Sequence, residues 1–221
     1  MDYLRYLGHS SMELSLADYH IYFDPFFGNA IRNNKRMIPC AIFPDEIRKA
    51  DLIFISNERE DHCDAEHVRT ISERCYATVV APPPALAKLK LNEKFRVDAH
   101  PGDKFQAKGV DVEVVSSSSP QSASPVGYVV RHGRRSIYFA GATYEFYGMG
   151  DIRCDIAILP IGGSETMDTI SACKAVKAIK PKLVIPIHYN TYPKINADVE
   201  ELNDLGSAQL AVLGVGDEIE I

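Results

Sequence analysis

Hydrophobic and polar positions divide the chain into short β-like runs followed by alternating buried runs and amphipathic stretches. Tyr3–Leu7, Met12–Leu16 and His20–Phe23 are separated by turn formers and read as a meander closed by Asp24-Pro25, since proline cannot continue a strand ladder. A Gly/Asn/Arg-rich loop follows over 26–37, and Pro44–Ala50 reads as one or two helical turns. Leu52–Ile55 is an apolar run suited to a strand buried on both faces. Ala65–Arg74 then carries helical spacing at Val68, Ile71 and Cys75, with Asp64 at the N-cap. Thr78–Ala81 reads as strand and Pro82–Leu89 as a short helix.

The second half repeats this scheme. Strands are predicted at Phe95–Val97, Val110–Val115, Tyr128–Arg131, Ser136–Phe139, Ile156–Pro160 and Leu183–Ile187. Ile170, Cys173, Val176 and Ile179 give the stretch 167–179 one apolar helical stripe. A helix near Val199–Leu205 and a terminal hairpin of Gln209–Leu213 with Glu218–Ile221 complete the chain. No linker-like composition interrupts it. Residues 1–221 therefore read as one α+β domain of two similar halves, packed sheet on sheet with helices outside, a four-layer αββα sandwich.

Composition narrows the classes. Among 221 residues, 46% are hydrophobic and 24% charged, as in globular proteins. Thirty Asp+Glu against 24 Lys+Arg give a net charge of −6, a field that repels nucleic acid. No apolar run is long enough to span a membrane and no secretion signal is visible, so a cytoplasmic location is expected. The five cysteines are scattered without a CxxC pair and read as reduced thiols. Oligomeric state is not legible.

The candidate chemistry lies in Ser56-Asn57-Glu58-Arg59-Glu60-Asp61-His62, where a buried strand delivers the chain to a loop before a helix. With Tyr6-Leu7-Gly8-His9-Ser10, Phe23-Asp24-Pro25, Ala140-Gly141, Leu159-Pro160-Ile161-Gly162-Gly163 and Pro186-Ile187-His188-Tyr189-Asn190, the chain resembles the metallo-β-lactamase fold superfamily. Its nearest likeness there is the small metal-dependent hydrolase branch related to the lactonase-like proteins. That resemblance implies a dinuclear zinc centre built on His-x-His-x-Asp-His, a third histidine, a bridging aspartate and a last histidine. Asn57 and Arg59 stand at the first two histidine positions. The third falls near Ser119, and the bridging aspartate corresponds to Ala142. Asp61, His62 and His188 remain.

Neutral Asn and Ser are poor zinc ligands and a guanidinium repels a dication, so a dinuclear site is not expected. Asp61, His62 and His188 supply two nitrogens and one oxygen, enough for at most one weakly held zinc. Two functional readings follow. The first is a non-catalytic, ligand-binding pseudoenzyme on a dismantled site. The second is a mononuclear zinc hydrolase of an ester, lactone or phosphoester, with Arg59, Asp61 and His188 as catalytic candidates. Asn57, Arg59, His9, Ser119 and Tyr189 are candidates to contact a ligand, and a small anion is the partner expected. Arg59 either orients such an anion or neutralises Asp61, Glu58 or Glu60. His9 either lines the cleft or is a satisfied turn histidine. Tyr189 either contacts a ligand or caps its loop, and Asp24 reads as a structural hydrogen-bonding post.

Overall fold

The structure, a computed structural model, describes residues 2–31 and 34–221. Two seven-stranded sheets dominate it. The first contains β1 (Tyr3–Gly8), β2 (Ser11–Leu16) and β3 (Tyr19–Phe23) as an antiparallel meander. A two-stranded hairpin of β4 (Ala30–Ile31) and β5 (Asn34–Lys35) follows, within the stretch expected to be loop; residues 32 and 33 of that stretch lie outside the described residues. The parallel strands β6 (Leu52–Phe54), β7 (Thr78–Ala81) and β8 (Arg96–Asp98) extend the first sheet beside β3. The helices α1 (Ala65–Cys75) and α2 (Pro83–Leu89) connect them.

The second sheet repeats the plan. Antiparallel β9 (Lys104–Ala107), β10 (Val110–Ser116), β11 (Val126–His132) and β12 (Arg135–Phe139) lead into parallel β13 (Ile156–Pro160), β14 (Leu183–Ile187) and β15 (Gln209–Leu210), with α3 (Thr169–Ile179) between β13 and β14. The last strand, β16 (Glu218–Glu220), returns to the first sheet and pairs with β1. The expected terminal hairpin is therefore wrong: β15 and β16 lie in different sheets. Alternation within a strand carries no information about which edge it joins. The helix expected near Val199–Leu205 is a single 3-10 turn, Val199–Glu201, and Pro44–Glu46 is another.

Period-two alternation in strands buried on both faces creates the layers. Leu52 and Phe54 enter the core between the sheets, whereas Ile53 and Ile55 face α1 and α2. Ile156 and Ile158 enter that same central core, and Ala157 and Leu159 face α3. Aromatic rings join the sheets, with Phe23 stacked on Phe139 at 4.8 Å and Phe54 against Tyr128 at 4.8 Å between centroids. The result is the four-layer αββα order. Among the described residues no helix is long and apolar enough to cross a membrane, and all five cysteines are free.

Candidate metal centre

Strand ends at one rim of the sandwich bring the candidate residues together. His9 occupies the turn between β1 and β2, Asp24 follows β3, Asp61 and His62 lie on the loop after β6, and His188 follows β14 directly. A backbone hydrogen bond from His188 N to His9 O, 2.7 Å, ties two of these turns together. His9, Asp24 and His188 have left-handed backbone, with φ of 58°, 40° and 59°. Such conformations cost about 1–3 kcal/mol each in non-glycine residues and concentrate where function over-determines the backbone.

Two motif glycines allow this packing. A Cβ on Gly162 would lie 2.2 Å from His188 O, and one on Gly141, whose φ is +63°, would lie 2.4 Å from Ser56 Cβ. Neither contact is sterically tolerable, so side chains at these positions would displace the loops that carry the site.

Asp61 is the hub. Its Oδ2 lies 3.3 Å from His9 Nε2, 3.6 Å from His62 Nε2 and 3.6 Å from His188 Nε2, and all four residues are buried. Arg59 grips the same carboxylate, Nε to Oδ1 at 3.3 Å and Nη2 to Oδ2 at 3.4 Å. Burial pushes Asp61 up, but His62, His188 and His9 outweigh it and hold the carboxyl well below its usual range. Burial drives His9 far down, aided by His188, and drives His188 down against the opposing pull of the nearby Asp61 carboxylate. His62 runs the other way: burial lowers it, and the charges of Asp61 and Asp24 more than compensate. Asp61 is thus an anion and His9 and His188 are neutral near pH 7, the protonation states that metal ligands require.

A second layer fixes the rings. His62 Nδ1 donates to Asp24 Oδ2 at 2.6 Å; a carboxylate only accepts, so in the neutral ring it is Nε2 that keeps the lone pair facing the hub. Asp24 also accepts from Ser56 N (2.7 Å) and Ser56 Oγ (2.6 Å). His9 Nδ1 pairs with Thr191 Oγ1 at 2.7 Å. His62 Nε2 and both ring nitrogens of His188 have no hydrogen-bond partner among the described residues, although they are buried. Unpartnered ring nitrogens grouped around one buried carboxylate are a donor set that a metal ion would satisfy.

The four residues fit one ion. Tetrahedral zinc with bonds of about 2.0–2.2 Å holds its ligand atoms about 3.3–3.6 Å apart. The three contacts of Asp61 Oδ2 span 3.3–3.6 Å, and the four ligand atoms all lie within 4.8 Å of one another.

The remaining sequence candidates are placed as follows. Asn57 is fully buried, donating from Nδ2 to Ser56 Oγ (3.0 Å) and accepting Arg59 N on Oδ1 (2.9 Å). Ser119 is buried, and its hydroxyl has no partner among the described residues. Ala142 is buried, and its carbonyl accepts Ser117 Oγ at 3.3 Å. Tyr189 packs with the α3-side cluster, and Tyr192 instead lines the cavity of about 530 Å³ that opens onto His9, Asp61 and His188. Asp64 sits at the N-cap of α1 but makes no cap bond; its carboxylate takes Phe27 N and His67 Nδ1. Thr191 and Glu165 escaped sequence reasoning. Glu165, whose Oε2 lies 2.5 Å from Arg59 Nη1, carries no local signal at all.

A paired-sheet sandwich with buried histidines and an aspartate on its rim is a metallohydrolase-type scaffold, and residues 3–188 match the family model described as the Beta-lactamase superfamily domain. The chain is 37% identical over 208 residues to the UPF0173 metal-dependent hydrolase of Thermoplasma acidophilum, covering 90% of this chain and 88% of that one. A Pyrococcus furiosus relative of the same description is 35% identical, with 99% of each chain covered. Among solved structures, Igni18, a metallo hydrolase from Ignicoccus hospitalis, superposes with a TM-score of 0.83 at 27% identity, covering 99% of this chain and 97% of that one. The chain belongs to the UPF0173 metal-dependent hydrolase family. The expectation of a dismantled, non-catalytic site is not supported, because a buried His/Asp group able to hold a metal ion is present. His9, expected either to line the cleft or to be a satisfied turn histidine, lines the cavity and joins Asp61, His62 and His188 in the group that could hold an ion, a role that subtracting family positions did not give it.

Proposed function

We propose that this chain is a mononuclear metal-dependent hydrolase of an ester, lactone or phosphoester, with His9, Asp61, His62 and His188 holding a single divalent ion. The observation that carries this reading is the convergence of three imidazole Nε2 atoms on Asp61 Oδ2 at 3.3–3.6 Å. Family membership and the orphaned ring nitrogens support it. When bound, such an ion supplies Lewis acidity and lowers the pKa of water toward about 7.

The protein's own groups supply the rest. Asp24 fixes the His62 tautomer, and Thr191 fixes the His9 ring. Arg59 aims the Asp61 carboxylate and keeps a permanent positive charge beside the place where negative charge develops on a substrate oxygen. That same cation disfavours a second ion, in keeping with the resemblance-based expectation for positions 57, 59, 119 and 142.

Elemental analysis of protein purified without chelators tests the proposal. About one equivalent of transition metal is expected, lost together with turnover of an ester, lactone or phosphodiester panel in His188→Ala and in His9→Ala. Folded wild-type protein that takes up no zinc, manganese or iron on supplementation would overturn it. So would His188→Ala with full activity.

A further inference from the structure

We propose that Arg59 and Glu165 form a carboxylate subsite that the protein fills with its own side chain, and that the substrate is a carboxylate-bearing molecule which displaces Glu165. This rests on the hydrolase reading above. Arg59 commits Nε and Nη2 to Asp61, which leaves Nη1 to form an ion pair with Glu165 Oε2 at 2.5 Å, a charge contact without hydrogen-bond alignment. Nη1 is cut off from solvent, and the Arg59 side chain is only 21% exposed. Glu165 is 44% exposed and reaches in from outside.

The two residues belong to different halves of the fold. Arg59 lies on the loop after β6, and Glu165 on the loop after β13, directly after Gly163 and Ser164, both with left-handed φ. They meet across the mouth of the cavity that contains His9, Asp61 and His188. A guanidinium pinned to Asp61 by Nε and Nη2 presents Nη1 at a fixed place, so it recognises a carboxylate by position as well as charge. Glu165 therefore marks where a guest carboxylate sits, within reach of the metal-binding group. Lys194, exposed on the same cavity and without an ion pair among the described residues, adds a second positive charge. Glu58 and Glu60 line the cavity too, and they disfavour a guest of high negative charge.

A half-exposed ion pair is a weak plug, which suits a group that must leave. Competition from Glu165 is worth about fivefold in the apparent affinity of a small carboxylate, the upper range for such pairs.

Propionate, the carboxylate equivalent of a glutamate side chain, is the probe, titrated into full-length protein as purified. The reading is the ¹⁵N–¹H resonance of Arg59 Nε. In Glu165→Ala this resonance should saturate at about fivefold lower propionate than in wild type, with propionamide giving no shift. Arg59→Lys added to Glu165→Ala keeps the charge but removes the fork; calorimetry on that double variant should show the gain lost. Equal midpoints in wild type and Glu165→Ala, an equal response to propionamide, or undiminished binding in the double variant would each overturn the subsite. Metal content of the same samples separates the two proposals. Metal retained without the Arg59 response sinks the subsite alone, and the Arg59 response without metal in wild type sinks the hydrolase reading alone.

Discussion

Asp24→Asn isolates the layer that orients the metal-binding group. Asp24 is fully buried and accepts three hydrogen bonds, from Ser56 N at 2.7 Å, Ser56 Oγ at 2.6 Å and His62 Nδ1 at 2.6 Å. Asparagine keeps the shape and tolerates the φ of 40° as well as aspartate does, so backbone strain does not confound the comparison. It replaces one acceptor oxygen by an NH₂ donor. If the NH₂ faces Ser56, the Ser56 N–H loses its acceptor. If it faces His62, it donates to Nδ1 and forces the hydrogen onto Nε2, which removes the lone pair aimed at Asp61. Charge-assisted bonds are worth about 1.5–3 kcal/mol each; the loss of one and weakening of the others should destabilise the fold by roughly 2–4 kcal/mol. Removing the partner of a ligating histidine should also weaken metal binding about 10–100-fold. Urea unfolding measures the first effect, and competition against a chromophoric chelator the second. Metal affinity equal to wild type, with or without a loss of stability, would refute the claim that Asp24 acts on the ion through His62.

Two further outcomes follow from the same loops. Gly141→Ala should cost at least about 2 kcal/mol in chemical denaturation and lower metal content, since the added Cβ would meet Ser56 Cβ at 2.4 Å in a left-handed backbone; an unchanged midpoint would contradict this. Glu58 ties the loop after β6 to residues 122–123, accepting Ser122 Oγ at 2.6 Å and Ala123 N at 2.8 Å. Burial raises the Glu58 carboxyl, but these bonds outweigh it and leave the group below its ordinary value. A depressed carboxyl contributes stability above its unfolded pKa and loses it as pH falls through the folded one. Glu58→Gln should therefore lower stability at pH 7 and flatten the acid limb of a stability–pH curve below about pH 4.5, the two proteins converging at low pH; a stability–pH curve identical to wild type would count against the tether.

The layers of the fold were legible because they are written in local periodicity. Ile53 between Leu52 and Phe54, and Ala157 between Ile156 and Ile158, announce strands with two buried faces, and the stripe on α3 announces what covers one of them. Pairing partners are not local. Residues 218–220 alternate equally well beside β15 or beside β1, and only the turn at 214–217, with Tyr6 N bonded to Asp217 O, decides for β1.

The site divides along the same line. Asp61 and His62 are adjacent in sequence, and resemblance adds His188, so three donors could be named. His9 meets Asp61 across 52 residues and Thr191 across 182, contacts that no spacing rule predicts. Arg59 shows why sequence neighbours mislead. Three acids flank it within two positions, but only Asp61 is its partner, while Glu58 bonds elsewhere and Glu165 arrives from the other half. Counting lost positions treats a metal site as a list of slots, each filled or empty. An ion requires only donors within reach, and the turn between β1 and β2 can deliver one from outside the family's set of positions. Arg59, standing where the resemblance implies an imidazole, is a cation that grips the Asp61 carboxylate through Nε and Nη2, so one side chain bears both on which donors position 59 offers and on how Asp61 is held.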